Sequence, residues 1–193
     1  MQVYTAIAGK YPIARNDVTC FTGDGLFNNP VLEAKRYKVL PHLFFPDAAI
    51  TVWVDGNVWL AHESFAREAL GRYDMAIFSH PYRTTVWQEF GALKEQKRFQ
   101  IPFLQKQLAE QEQAYRDAGL HADAPLYECN FMVRRNIEPV NVAMESWWAQ
   151  ICRWQWRDQV SLPYVLSRDC GLRINALTGN IRDHPAFRYV SQY

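Results

Sequence analysis

Short apolar runs alternate with longer amphipathic stretches along the whole chain. Runs rich in β-branched and aromatic residues occupy residues 3–8, 18–22, 49–54, 74–79 and 126–133, and each predicts a strand. The run at 49–54 is almost continuously apolar, which favours a strand that is covered on both faces.

Residues with a helical period fill the intervals between these runs. The first predicted helix begins at Pro30 and ends before Pro41. Further helices are predicted at residues 63–70, at 85–118 with a break near Pro102, at 140–153, and at 158–167 with Asp158 as N-cap. The tail, residues 171–193, predicts loop and short strand.

Strands that alternate with helices favour the α/β class. We therefore predict a Rossmann-type domain with a mixed, mostly parallel central sheet and helices on both faces. The sequence has no internal repeat, low-complexity tract or linker-like segment, so residues 1–193 are predicted to form a single domain. Polar residues that follow the strands should gather at one edge of this sheet, where α/β proteins bind their ligands.

Composition narrows the classes of function. A net charge of +1 gives no polyelectrolyte signature, so we expect no nucleic-acid partner. The aromatic content of 15%, with seven Trp, suits stacking on a sugar or a nucleobase, although a large core also uses such residues. The sequence contains no P-loop, G-x-G-x-x-G or G-x-S-x-G motif, so an NTPase, a dinucleotide oxidoreductase and a serine hydrolase lose their main support.

Cysteine usage and hydropathy bear on location. The four cysteines stand far apart, which argues against a zinc ribbon or a redox pair and predicts reduced, mostly buried thiols. The N-terminus has no basic region typical of a leader, and no apolar run approaches the ~20 residues of a membrane span. We therefore expect a cytoplasmic protein without a transmembrane segment.

The most informative motif is Asp55-Gly56-Asn57, directly after the run at 49–54. An isolated motif of this kind is more often a plain turn, in which Gly supplies a positive φ. At the end of a buried strand, however, the two oxygen-bearing side chains could bind Mg²⁺ or Mn²⁺ together with phosphate oxygens. His184 is a candidate third ligand, although a lone His is more often a surface or core residue.

Two basic residues precede this strand. Arg36 and Lys38 could hold a diphosphate, the Arg by bidentate contact and the Lys as a point charge. Lys38 and His42 are four residues apart and would share one face of a helix. The alternative is a solvated helix face on which the long side chains extend into water.

Carboxylates further along the chain are candidates for acid–base chemistry. Glu128 falls inside a predicted strand, where an unpaired charge is expensive, so it is either at an edge or functional. Asp158 could simply cap a helix, or it could hold an acceptor hydroxyl or act as a base. Glu89 and His80 are weaker candidates, because Glu89 lies in a Gln/Glu-rich helix that could be solvated.

Taken together, these residues make the chain similar to a GT-A type glycosyltransferase domain. More narrowly, it resembles a family of glycosyltransferase-like domains, once of unknown function, found in bacteria and in plant mucilage-related proteins. The matching segments run nearly through the whole chain and comprise residues 4–11, 20–24, 36–42, 53–57, 80–83, Glu89, 126–128, 147–148 and 157–159.

The resemblance implies roles for particular residues. Asp24, Arg36, Lys38, Asp55 and His80 would bind the donor; Asp55, Asn57 and His184 would bind the metal; Glu128 and Asp158 would face the acceptor or the transferred sugar. The family pattern has a second acid where this chain has Asn57. A neutral amide oxygen is a poorer cation ligand than a carboxylate, but Mn²⁺ or Mg²⁺ is still the expected cofactor.

The predicted function is glycosyl transfer from a nucleoside diphosphate sugar to a hydroxyl of a glycan, lipid-linked or protein acceptor, as in polysaccharide synthesis. A metal-dependent nucleotidyltransferase or hydrolase could use the same crevice. A non-catalytic glycan-binding module is the third possibility, and in that case the Trp residues would matter more than Asp55.

Overall fold

The computed structural model describes residues 1–10, 14–155, 157–168 and 171–190. Its strands are β1 (Gln2–Ala6), β2 (Thr19–Phe21), β3 (Ile50–Val54), β4 (Val58–Leu60), β5 (Met75–Ser79), β6 (Tyr127–Arg135), β7 (Ile174–Leu177) and β8 (Phe187–Tyr189). Its helices are α1 (Pro30–Val39), α2 (Glu63–Leu70), α3 (Val86–Glu95), α4 (Pro102–Asp117), α5 (Glu138–Arg153) and α6 (Asp158–Ser167).

Six of the strands form the central sheet, in the order β2-β1-β3-β6-β5-β7. β1 is parallel to both β2 and β3, and β5 is parallel to β7. β6 is antiparallel to its neighbours β3 and β5, so it is the one strand of this sheet that runs against the others. β4 and β8 pair separately as a short antiparallel ribbon.

Apolar residues cover both faces of the sheet. On one face, Tyr4 and Trp53 pack with residues of α1, α5 and α6, including Trp147. On the other face, Val52 and Val54 pack with α2 and with the segment that contains Phe187. Alternate residues of β3 therefore point into two different apolar layers, as a pleated strand requires.

A third apolar cluster lies beside the sheet. It joins α3 and α4 through residues such as Phe90 and Leu108, and Val160 of α6 packs into it. The predicted α/β class, with a mixed, mostly parallel sheet and helices on both faces, is confirmed.

The pattern-based boundaries agree closely with these elements, and the predicted helix at 63–70 matches α2. β4 is a strand that the sequence analysis missed, because its partner β8 is more than 120 residues away in the chain. The prediction that Asp158 is the N-cap of α6 was wrong. Arg157 holds that position, and Asp158 is the first helical residue. Its carboxylate makes contacts elsewhere, which are described below.

Two expectations from composition can be compared with the structure. Within the described residues, no helix is both long and apolar enough to cross a membrane. Cys20, Cys129 and Cys152 are free thiols, but only Cys129 is buried, so the prediction of mostly buried cysteines was wrong for the other two. Cys170 lies outside the described residues.

The edge strand β7 is anchored by one buried acid. Asp74, 8% exposed, accepts hydrogen bonds from the backbone amide of Arg173 at 3.0 Å and from its guanidinium at 2.8 and 3.1 Å. These bonds from Arg173 lower the pKa of Asp74 to about 2. The contact fixes the start of β7 against the start of β5.

We predict that Asp74→Ala lowers the free energy of unfolding by about 1–2 kcal/mol, because it removes the charge-assisted hydrogen bonds that fix the start of β7. A group with a depressed pKa stabilises the fold above its ordinary pKa, so this difference should shrink as the pH falls from 3.8 towards about 2. Urea denaturation measures both effects. Asp123→Ala is the matched control because its side chain is 86% exposed; an equal loss in both variants would contradict the prediction.

Candidate functional site

Asp55 lies in the turn that follows β3, and Arg15 fixes the conformation of that turn. One guanidinium nitrogen of Arg15 donates to the carbonyl oxygens of Gly56 at 3.2 Å and Val58 at 2.7 Å. Its other nitrogens bind the carboxylate of Asp17 at 2.7 and 2.8 Å. A buried guanidinium with several backbone acceptors makes a rigid support, so Asp55 is presented in a defined position.

Gly56 is favoured by the close approach of a neighbouring side chain and lacks the positive φ that is typical of glycine in a plain turn. Its φ is not among the positive values of this chain. A Cβ on Gly56 would lie 3.1 Å from a side-chain carbon of Ile7, at the end of the neighbouring strand β1. The turn therefore lies directly against the carboxyl end of β1, which is where ligands bind in open α/β sheets.

The carboxylate of Asp55 is held on one side and open on the other. Its Oδ1 accepts hydrogen bonds from Trp53 Nε1 at 2.8 Å and from Lys38 Nζ at 3.2 Å. The side chain is 38% exposed. The predicted proximity of Lys38 and Asp55 is thus present in the structure.

A second carboxylate binds the same lysine. Asp158 Oδ2 lies 2.9 Å from Lys38 Nζ and also contacts Lys35 Nζ. Lys35 and Lys38 are three residues apart on α1 and share one face of that helix. Trp147 Nε1 donates to the backbone oxygen of Asp158 at 3.1 Å and so holds the start of α6 in place. We call Lys35, Lys38, Asp55 and Asp158 the lysine–aspartate cluster.

Burial makes the charges of this cluster interdependent. Burial raises the pKa of Asp158, but the charges of Lys35 and Lys38 outweigh it and hold that pKa well below its usual range. Burial lowers the pKa of Lys38, and Asp158 and Asp55 more than reverse this, so the pKa of Lys38 is raised. Asp158 is therefore ionised and poorly suited to accept a proton.

Lys38 is also positioned through its backbone. Tyr4 donates its hydroxyl hydrogen to the carbonyl oxygen of Lys38 at 3.1 Å and accepts from Arg134 at 2.6 Å. Arg134 is fully buried in β6, and burial raises the pKa of Tyr4 to about 12. This chain of bonds connects α1 to the centre of the sheet.

Two adjoining hollows open beside the cluster, and Lys35, Lys38 and Asp55 line both of them. The first has a volume of about 370 Å³ and is mostly apolar. Its other lining residues include Ala6, Ile7, Pro30, Val31 and Ala34. The second hollow, of about 280 Å³, is almost entirely polar.

Three residues that line the polar hollow each carry a buried acceptor oxygen without a hydrogen-bond partner among the described residues: Glu128 Oε2, Asn130 Oδ1 and Gln159 Oε1. Burial raises the pKa of Glu128, and Arg182 only partly opposes it. β6 lies between β3 and β5, so the interpretation of Glu128 as an edge residue was wrong. The pairing of β5 with β6 changes register beside Glu128, and such an irregularity can redirect side chains towards a site.

A buried acid holds two arginines at the wall of the polar hollow. The sequence suggested that Glu89 could lie on a solvated helix face, but it is fully buried. Its carboxylate lies 2.6 Å from Arg83 Nε and 2.7 Å from Arg157 Nη2. His80 lines the same hollow, and burial together with Arg83 lowers its pKa to about 4, so its imidazole is neutral near pH 7.

Other predicted site residues lie away from the cluster. Arg36 pairs with Asp24 at 2.7 Å, and neither lines the two hollows. His42 follows the end of α1, so it does not share a helical face with Lys38, and its Nε2 lies 3.2 Å from Glu145.

The predicted metal ligands are only partly assembled. Asp55 and Asn57 line the apolar hollow, whereas the ring of His184 packs against Phe65 and Phe78, at centroid distances of 4.9 and 5.6 Å. Within the described part of the chain, no three His, Cys, Asp or Glu side chains are arranged to hold a metal ion. One carboxylate that already binds an ammonium, with one neutral amide, does not fit a resident divalent cation.

The sequence analysis missed Lys35 and did not pair Glu89 with Arg83 and Arg157. Lys35 could have been found from its helical spacing, since Lys38 was already a candidate and i, i+3 residues share a face. No sequence signal pairs Glu89 with Arg157, 68 residues further along the chain.

The fold is that of a Rossmann-like α/β domain, and the cleft lies at the strand ends, where open α/β sheets bind ligands. The chain belongs to the TOD1/MUCI70 glycosyltransferase-like domain family, whose model matches residues 20–178. This confirms the family suggested by the sequence motifs. No curated protein and no solved structure matches the chain.

We predict that Asp158→Asn lowers the free energy of unfolding by about 3 kcal/mol, because it leaves two ammonium groups facing a neutral amide in a buried position. Urea denaturation tests this. Asp47→Asn, at an exposed position, is the matched control and should leave the midpoint unchanged. An unchanged midpoint for Asp158→Asn would contradict the view that this acid holds the lysines in place.

Proposed function

We propose that this protein transfers a sugar from a nucleoside diphosphate donor to a hydroxyl acceptor. The observation that carries the proposal is the pair of adjoining hollows, one apolar and one polar, which share a wall of Lys35, Lys38 and Asp55. The assignment to a glycosyltransferase-like family supports it. A sugar attached to a diphosphate at this wall would have its anomeric carbon near both hollows.

The apolar hollow is suited to the nucleoside. Small apolar side chains at the end of β1 and the start of α1 would pack against a base and a ribose, which is the usual character of a small-molecule pocket. The diphosphate would then lie at the ammonium groups of Lys35 and Lys38. Charge-assisted hydrogen bonds from these groups would strengthen as negative charge develops on the leaving oxygen.

The polar hollow is suited to the acceptor. Its unpaired acceptor oxygens on Glu128, Asn130 and Gln159 would bind sugar hydroxyl hydrogens. A hydroxyl deprotonated by Glu128 would attack the anomeric carbon. The bond from that carbon to the diphosphate oxygen would break, its electron pair leaving with the diphosphate, and the proton would stay on Glu128. An oxocarbenium-like transition state is expected for such a transfer.

The two catalytic candidates thus receive different roles in the proposal. Glu128 has a raised pKa, which suits a general base that works near neutral pH. Asp158 has a strongly lowered pKa and binds two lysines, so we assign it a positioning role.

A panel of sugar nucleotides, assayed for release of the nucleoside diphosphate, tests the proposed reaction. We expect release from at least one donor, and Asp55→Ala should slow it by about tenfold or more, because Lys38 loses the acid that directs it to the cleft. Asp47→Ala is the control. Failure to bind or turn over any donor would overturn the proposal. Release of pyrophosphate would indicate a nucleotidyltransferase instead. Glycan binding that survives Asp55→Ala would indicate a binding module.

The pH dependence tests the role of Glu128. We expect the rate to fall as the pH drops through the raised pKa of Glu128, because a protonated carboxyl cannot accept the acceptor proton. Arg182, Asn130 and Asp55 surround this group and stay in place in Glu128→Gln. That variant should lose about 10²–10⁴ in rate and the acidic limb of the profile. Glu63→Gln, at an exposed position, is the control; an acidic limb that persists in Glu128→Gln would contradict the assignment.

A further inference from the structure

We propose that fixed basic side chains of the cleft, with Lys35 and Lys38 at the leaving diphosphate, supply the positive charge there, so that donor binding needs no divalent cation. The inference rests on the proposed function and concerns its donor site. It differs from the sequence-based expectation of Mn²⁺ or Mg²⁺ bound by Asp55, Asn57 and His184.

The candidate metal ligands around Asp55 are poorly suited to a divalent cation. Oδ1 of this residue already accepts from Lys38 at 3.2 Å and from Trp53 at 2.8 Å. Asn57 offers a neutral oxygen, and His184 packs among aromatic rings outside both hollows. A divalent ion at Asp55 would lie beside the ammonium of Lys38, and like charges at such a separation repel strongly in a partly buried site.

The ammonium groups of Lys35 and Lys38 are held in place by acids before any ligand binds. Lys38 is 3% exposed, and its Nζ is fixed between Asp55 and Asp158. Lys35 is fixed by Asp158 and lies one helical turn away on the same face. Both lysines line the two hollows, so their positive charge is in place before a ligand enters. A metal ion performs the same task in other diphosphate sites, namely fixed positive charge at the leaving group.

Basic residues outnumber acids around the two hollows. Six basic residues line the hollows: Lys10, Lys35, Lys38, Arg83, Arg157 and Arg182. Three acids line them as well, and Glu89 lies directly behind two of the arginines. Six cations against four acids leave a surplus of two positive charges. Asp55 and Asp158 offset Lys35 and Lys38, so the surplus comes from Lys10 and the three arginines. A nucleoside diphosphate sugar carries two negative charges, which this surplus equals without a metal.

Calorimetric titration with UDP, GDP, ADP and CDP tests the inference. For the nucleotide that binds best, we expect a Kd in EDTA within about twofold of the Kd in MnCl₂. Lys35→Met should weaken binding of the diphosphate by about tenfold or more, and weaken binding of the corresponding nucleoside little, because only the phosphates meet the lysine. Lys35→Arg, which keeps the charge, should recover most of the affinity.

Controls separate this inference from the proposed function. Lys106→Met, whose side chain is 74% exposed, should bind as the unmodified protein does. Thermal unfolding of each variant shows whether it is folded. Lys35→Gln, which removes the charge but keeps a hydrogen-bond donor for Asp158, should show the same nucleotide defect if Lys35→Met alone is unstable. Binding that requires MnCl₂ and is abolished by EDTA would overturn the inference and leave the proposed function intact. Absence of binding to every nucleotide in both conditions would overturn both.

Discussion

The structure depends above all on the burial of one carboxylate between two ammonium groups. Asp158 is 3% exposed, and an ionised carboxylate in that position is tolerated only when it is paired. Its partners Lys35 and Lys38 come from α1, whereas Asp158 begins α6. The pairing therefore joins α1 to the start of α6 beside the two hollows, which Lys35 and Lys38 line. A neutral or apolar residue at 158 would leave Lys35 without this acid and Lys38 with Asp55 as its remaining acid.

Two carboxylates that differ in surroundings have opposite proton affinities in this cleft. Asp158 is surrounded by cations, and its pKa is depressed. Glu128 is buried with an unpaired oxygen, and its pKa is raised. Separation of two pKa values by environment is how one site assigns an electrostatic role to one acid and proton transfer to another. The register change of β6 beside Glu128 supplies the geometric part of that separation, because it directs this acid to the polar hollow.

Sequence patterns predicted the fold well and the site unevenly, for physical reasons. Asp55 could be found because a buried strand and its terminal polar residues are local features, read directly from residues 49–57. Lys35 was passed over in favour of Arg36 because the face that α1 turns to the cleft depends on packing against α5 and the sheet, which spacing alone does not specify. Glu89 looked solvated because its helix is rich in Gln and Glu, and only the fold brings Arg157 to it. Long-range pairs of this kind have no signature in one sequence.

The same electrostatic arrangement, one buried acid between two cations, occurs twice in the cleft. Asp158 holds Lys35 and Lys38, and Glu89 holds Arg83 and Arg157, so each buried acid is shared by two cations. Sharing one anion between two cations satisfies the buried carboxylate. Glu89 with its two arginines keeps one net positive charge, whereas Asp55 balances the second lysine of the other group. Isolated lysines or arginines could not be buried to this degree, because their desolvation would be uncompensated. The arrangement thus produces a fixed positive surplus in a partly dehydrated cleft, where a fixed charge acts on an anion far more strongly than it would in bulk water.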